Sequence, residues 1–144
     1  MRPAHKVILY SVNDGERGLT AFALANRLRL DVRQCLDALQ VVGQLRGDPP
    51  TDEHGIRLLV YIHEGRTLPA ITNTLSFLGK IRKKYPDLPI LLVDMPKIFG
   101  DNAPATVKLA GIVAPLVLIE TVKTLTARKR GPKPRRAEAC ASAA

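Results

Sequence analysis

The sequence predicts an α/β fold: a five-stranded parallel sheet with helices on both faces, followed by a basic tail. Three observations predict it. Leu88 to Asp94 is a short apolar run, entered through Tyr85-Pro86-Asp87 and left through Asp94-Met95-Pro96, as expected of a strand buried on both faces. Two more such runs, Val7 to Val12 and Ile56 to Ile62, lie upstream, and a weaker one, Gly111 to Ala114, lies downstream. Helix-like segments separate them, and that alternation is the pattern of a parallel sheet wrapped by helices.

The elements follow in chain order. Val7 to Val12 is rich in β-branched and aromatic residues, and Asn13-Asp14-Gly15 after it is turn chemistry. A helix is predicted over Gly18 to Leu28, where Leu19, Phe22, Ala23 and Asn26 recur at helical spacing. Asp31 to Cys35 reads as a short strand and Asp37 to Leu45 as a helix with Leu39 and Val42 inward. Gly47-Asp48-Pro49-Pro50 marks a loop before the strand Ile56 to Ile62. Asn73 is the expected cap of a helix over Thr74 to Lys84, with Leu75, Leu78 and Ile81 stepping every three residues. Lys80, Arg82, Lys83 and Lys84 crowd its end, where cations favour the negative pole of the helix dipole. After Leu88 to Asp94 come irregular residues 96–104, a short helix over 105–110, the last strand, and a helix over Leu116 to Ala127.

At 144 residues and 46% hydrophobic composition the chain supports one folded domain, predicted over 1–127. The net charge is +9, and residues 128–144 carry six of the basic side chains against Glu138. That segment cannot bury enough apolar area to fold and is read as a disordered tail. Aromatic residues are only 4% with no Trp, which argues against a surface built for stacking bases. Cys35 and Cys140 make no disulfide framework, so they read as reduced thiols of a cytoplasmic protein, Cys35 packed in the core. No run is long enough to span a membrane, and none is expected to.

Five strands alternating with five helices in this length resemble the receiver domain of two-component response regulators. Val-Ile-Leu-Tyr resembles its first strand. Ile81-Arg82-Lys83-Lys84-Tyr85-Pro86-Asp87-Leu88-Pro89 resembles its third helix running into the fourth strand, and Ala114-Pro115 its Lys-Pro before the last helix. The resemblance implies a flavodoxin/receiver-like fold with a site at the carboxyl ends of the strands. It also implies an Asp nucleophile after the third strand, an acidic pair holding Mg²⁺, a hydroxyl ending the fourth strand and a Lys after the fifth. Carried across, the acidic pair falls on Ser11 and Val12, and the nucleophile falls between Tyr61 and Glu64, at or beside His63. The hydroxyl falls on Asp94 and the Lys on Ala114. Each substitution removes a metal ligand, the phosphoryl acceptor or the charge clamp. The expectation is a degenerate receiver that is no enzyme, uses no cofactor, and acts by protein–protein contact. By the same resemblance its partner, or a second copy, docks on the last-helix face at Val107, Leu118, Ile119, Val122 and Lys123.

Four further readings accompany it. Asp14, Glu64 and Asp94 all follow strands and form a weak candidate cation site, against the plainer reading of solvated loop carboxylates. His63 is a strand-end imidazole, read as hydrogen-bonded and not as a phosphoacceptor. Residues 19–45 also resemble a winged helix-turn-helix, in which Val32 to Leu45 is the recognition helix and Arg33 and Gln34 touch DNA. Finally, Lys129-Arg130-Gly131-Pro132-Lys133-Pro134-Arg135-Arg136 resembles an AT-hook that lacks the central Arg. With Arg128 it is a cationic peptide expected either to bind DNA phosphates with little sequence preference or simply to keep the chain in solution.

Overall fold

β3, Ile56–His63, occupies the middle of the sheet, and the strand within Leu88 to Asp94 lies one place outward. The computed structural model describes residues 4–11, 14–95, 97–99, 111–113 and 117–127. Among these the order is β1 (Lys6–Tyr10), α1 (Asp14–Leu28), β2 (Asp31–Cys35), α2 (Ala38–Gly47), β3, α3 (Leu68–Lys84), β4 (Ile90–Asp94), β5 (Gly111–Val113) and α4 (Leu118–Ala127). The strands are all parallel in the order β2-β1-β3-β4-β5. The α/β fold with a parallel sheet and helices is therefore as expected. The helix expected over 105–110 and the tail 128–144 lie outside the described residues.

The sheet is buried on both faces because its strands alternate apolar side chains toward two cores. Ile8, Leu59, Ile90 and Leu92 face one core with Val41 and Leu45 of α2 and Leu78 and Ile81 of α3. Val7, Leu9, Leu58, Val60, Leu91 and Val93 face the other with Ala21 and Leu24 of α1 and Leu118 and Val122 of α4. One irregularity interrupts the alternation. Lys6 pairs with Ile56 but Val7 pairs with Leu58, so β3 has one extra residue at Arg57. Such a bulge re-aims a side chain. Here Ile56 turns to the α2/α3 core, and Arg57 Nε donates to Thr126 O at the end of α4, 2.8 Å away.

Residues 31–35 are a strand, which overturns the helix-turn-helix reading. Asp31 to Cys35 pair in register with Lys6 to Tyr10, so no recognition helix runs from Val32 to Leu45. Arg33 is engaged inside the domain. Its Nε and Nη2 donate to the two carboxylate oxygens of Asp31 at 3.0 and 2.9 Å, and Nη1 reaches Gln44 Oε1 at 2.8 Å and Asp48 Oδ2 at 3.2 Å. Lys6 Nζ closes the network on Asp48 Oδ1 at 2.9 Å. α2 starts instead at Asp37, whose carboxylate accepts from Gln40 N at 2.9 Å.

α3 begins two turns before the predicted cap. Thr67 Oγ1 accepts from Ala70 N, Pro69 stands in the first turn, and Asn73 is inside the helix. α1 begins earlier than expected and is closed by Arg29 in the left-handed conformation at φ 56°, where glycine is usual.

Two predictions concern stability. In the loop before β3, Ile56 N donates to Asp48 O at 2.9 Å, and a Cβ on Gly55 would lie 1.7 Å from Pro49 O. Because that oxygen is backbone, no rotamer relieves the clash. Gly55→Ala is expected to cost ~3 kcal/mol in urea unfolding, and an unchanged midpoint would refute the packing described. Hydrogen bonding to Lys6, and then to Arg33, holds the Asp48 carboxyl below its ordinary value. A group depressed in the folded state stabilises it above the unfolded pKa of about 3.9, and this contribution fades as the pH falls. Asp48→Asn should therefore lower the urea midpoint at pH 7, and its gap to the parent should narrow as the pH falls to 3. A gap of equal size at both would contradict this.

Candidate strand-end site

The parallel sheet brings Ser11, Tyr61, His63, Glu64 and Asp94 to one edge, at the carboxyl ends of β1, β3 and β4. His63 and Asp94 are direct neighbours in the β3–β4 register. Of the other positions implied by the family resemblance, Val12, Val107 and Ala114 lie outside the described residues, as do Arg128, Lys129, Arg130, Lys133, Arg135 and Arg136. Asp14 opens α1, and its side chain is not among those described.

At this edge the polar groups are satisfied by the protein itself. His63 is 3% exposed. Its Nε2 lies 2.6 Å from Gly65 O, a carbonyl that can only accept, so Nε2 carries a proton. Its Nδ1 lies 2.8 Å from Thr74 Oγ1, and that hydroxyl lies 2.9 Å from the Tyr61 hydroxyl. For a neutral imidazole the donors then all point one way, Tyr61 to Thr74 to His63 to Gly65 O. Such a one-way chain of donors strengthens each member. Burial pushes the Tyr61 phenol above its ordinary pKa, with the Thr74 hydrogen bond opposing. Tyr10 stacks on Tyr61 at 4.7 Å between centroids, and Phe77 meets both rings edge-on. Tyr10 is also raised, by burial first and then by Tyr61.

Asp94 is neither a hydroxyl stand-in nor a solvated loop carboxylate. It is 4% exposed, and its two oxygens accept from Ile98 N at 3.0 Å and Phe99 N at 2.8 Å. Its carbonyl accepts from Lys97 N at 3.2 Å, and Lys97 takes a left-handed turn at φ 58°. That turn delivers Phe99 into the α2/α3 core, its ring edge-on to His63 at 5.1 Å. A carboxylate spent on two backbone donors is a poor ligand for a hard cation. Among the described residues no three His, Cys, Asp or Glu side chains stand together to hold a metal. The described residues at this edge therefore do not fit the Mg²⁺ that the resemblance implies.

The last-helix face needs correction as well. Leu118 and Val122 are buried at 5% and 0% against α1 and the sheet, and Ile119 packs on the same core. Of the expected partner residues on α4 only Lys123 is exposed.

Thr74, Phe99 and Gly65 O are site components that the sequence reading missed. Thr74 had a signal: it is a hydroxyl on the inner stripe of α3, between Ile71 and Leu78. Phe99 had none, because its placement depends on the Asp94 turn. Thr74→Val keeps the shape but leaves the half-buried Tyr61 hydroxyl and the buried His63 Nδ1 without their shared partner. The expected loss is about 1–3 kcal/mol by urea unfolding, and equal stability would show the chain to be unimportant.

Solved receiver structures share this fold. The Vibrio cholerae chemotaxis protein CheY4 superposes with a TM-score of 0.61 at 15% identity, covering 86% of this chain and 98% of that one. The Thermotoga maritima response regulator TrrA, in complex with Mg²⁺ and BeF, gives 0.63 at 16%, covering 84% and 98%. A response regulator receiver protein from Pseudomonas putida gives 0.62 at 15%, covering 86% and 99%. No curated protein matches the chain. Residues 38–124 match the model of a family described as Say1_Mug180, steryl acetyl hydrolase.

The description names an ester hydrolase, but the matched stretch holds no cysteine and only one serine. That serine, Ser76, is exposed in the middle of α3 and not at a strand-to-helix turn where a nucleophile is presented. By a match over more than half of its length the chain belongs to the Say1_Mug180 sequence family, on a receiver-like α/β fold.

Proposed function

We propose that the chain is a receiver-like regulatory module that works by protein contact and does not accept a phosphoryl group. The observation that carries this reading is the Tyr61–Thr74–His63–Gly65 chain, sealed by Phe99, at the strand-end edge. Phosphoryl transfer needs an oxygen nucleophile and a cation clamp on the transferred group. Here the strand-end imidazole has both nitrogens engaged and the neighbouring carboxylate is a turn cap. The same edge carries exposed apolar side chains, Leu36, Leu39 and Leu68, at the ends and starts of β2, α2 and α3. Surface of that kind favours a protein partner over a small charged substrate. The basic tail is proposed to add a salt-sensitive, sequence-indifferent association with nucleic acid.

The test is calorimetry with Mg²⁺ and beryllium fluoride, the pair named in the Thermotoga TrrA structure. No saturable heat is expected. Saturable binding that is lost in Asp94→Asn would overturn the reading, as would turnover of a steryl acetate that is abolished by Ser76→Ala.

A further inference from the structure

The two ends of the domain differ in charge and in polarity. Because the strands are parallel, each helix runs back against them, and all four described helices finish at the edge where strands begin. Exposed cations gather there: Arg27 and Arg29 at the end of α1, Arg46 at the end of α2, and Lys83 and Lys84 at the end of α3. Asp31 and Asp48 at the same edge are neutralised by Arg33 and Lys6. Against the five exposed cations there remain Asp52, Glu53 and Asp87. α4 also ends at this edge, tied by Arg57 to the start of β3, and the six tail cations follow Ala127 in sequence. At the opposite edge the described carboxylates Asp37, Glu64, Asp94 and Glu120 outnumber Arg66 and Lys97.

We propose that this strand-start edge binds the phosphate backbone of a nucleic-acid duplex through Arg27, Arg29, Arg46, Lys83 and Lys84. A lipid surface fits less well. Of the exposed large apolar side chains among the described residues, Leu36, Leu39, Leu68, Ile98 and Val117 lie at the far edge or open the helices there and Phe22 stands midway along α1, which leaves the cationic edge without an anchor to insert. A single strand also fits less well. Tyr85, the ring at this edge, is half buried with Lys84 Nζ 5.9 Å from its centroid, so it offers no open platform for bases. Contacts made only to phosphates carry no sequence information, so binding is set by charge and salt.

The proposal extends the tail reading, and the two fail separately. Anisotropy with a labelled 20-base-pair duplex measures the salt dependence for the full chain and three variants. Each phosphate contact contributes a slope of about 0.9 in log K against log salt. Neutralising Arg27, Arg46, Lys83 and Lys84 together to Gln should lower the slope by about 2 to 4 and weaken binding at least tenfold. Lys83→Gln with Lys84→Gln alone should give a smaller loss of the same sign, and far-UV dichroism and melting confirm that both variants fold. Arg66→Gln with Lys97→Gln, at the opposite edge, should change nothing. If the four-site variant binds as the parent does, the edge proposal is wrong and the tail alone acts. If the parent does not bind the duplex, or prefers anionic phospholipid vesicles, both nucleic-acid readings fall.

Discussion

A parallel sheet imposes one constraint on everything attached to it, because each strand must be reached by a crossover that returns along the sheet. In this chain the constraint is met around β3, which pairs with β1 on one side and β4 on the other. Its residues serve two cores at once, Leu59 facing α2 and α3 while Leu58 and Val60 face α1 and α4. The bulge at Arg57 lets the strand keep that alternation and still tie down the end of α4. With both faces covered, the free surface of the sheet is reduced to its two ends, and the function must be sought there.

The strand-end edge is closed by hydrogen bonds among its own residues. Hydrogen bonds that are left open at a reactive centre are here closed within the protein. Gly65 O accepts a hydrogen bond from the imidazole Nε2–H, Thr74 bridges to Tyr61, and Asp94 accepts from the amides of Ile98 and Phe99. Buried polar groups of this kind are stable only when fully paired. The arrangement therefore favours rigidity at this edge. The sequence-family match to a steryl acetyl hydrolase and the receiver-like fold meet in one chain, whose matched stretch carries its one serine, Ser76, in the middle of α3.

Helix direction then distributes charge. Asp37 and Glu120 stand near helix starts, and Arg27, Arg46, Lys83 and Lys84 near helix ends, as the helix dipole favours. In a helix bundle with alternating directions these preferences would cancel. Under a parallel sheet they add, making one end of the domain cationic and leaving the exposed leucines at the other. A local preference worth little per helix thus becomes a property of the whole molecule.

Much of this was readable from the residues. Alternation of short apolar runs with helical spacing identified the strands and the helices between them, because burial on both faces and on one stripe leave different periods. The fold class, the loop at Gly47 to Pro50 and the missing nucleophile between Tyr61 and Glu64 all follow from local chemistry. What the residues left open was decided by pairing across the chain. Whether 31–35 was a strand depended on β1 lying beside it, since Val32 is its one β-branched residue. Leu118 and Val122 read equally well as partner face or core until α1 covered them. Asp94 became a cap, and His63 a closed link, only when the turn at Lys97 and the inner face of α3 were brought against them. Periodicity records how much of a side chain is buried, but it carries no information about which distant group does the burying.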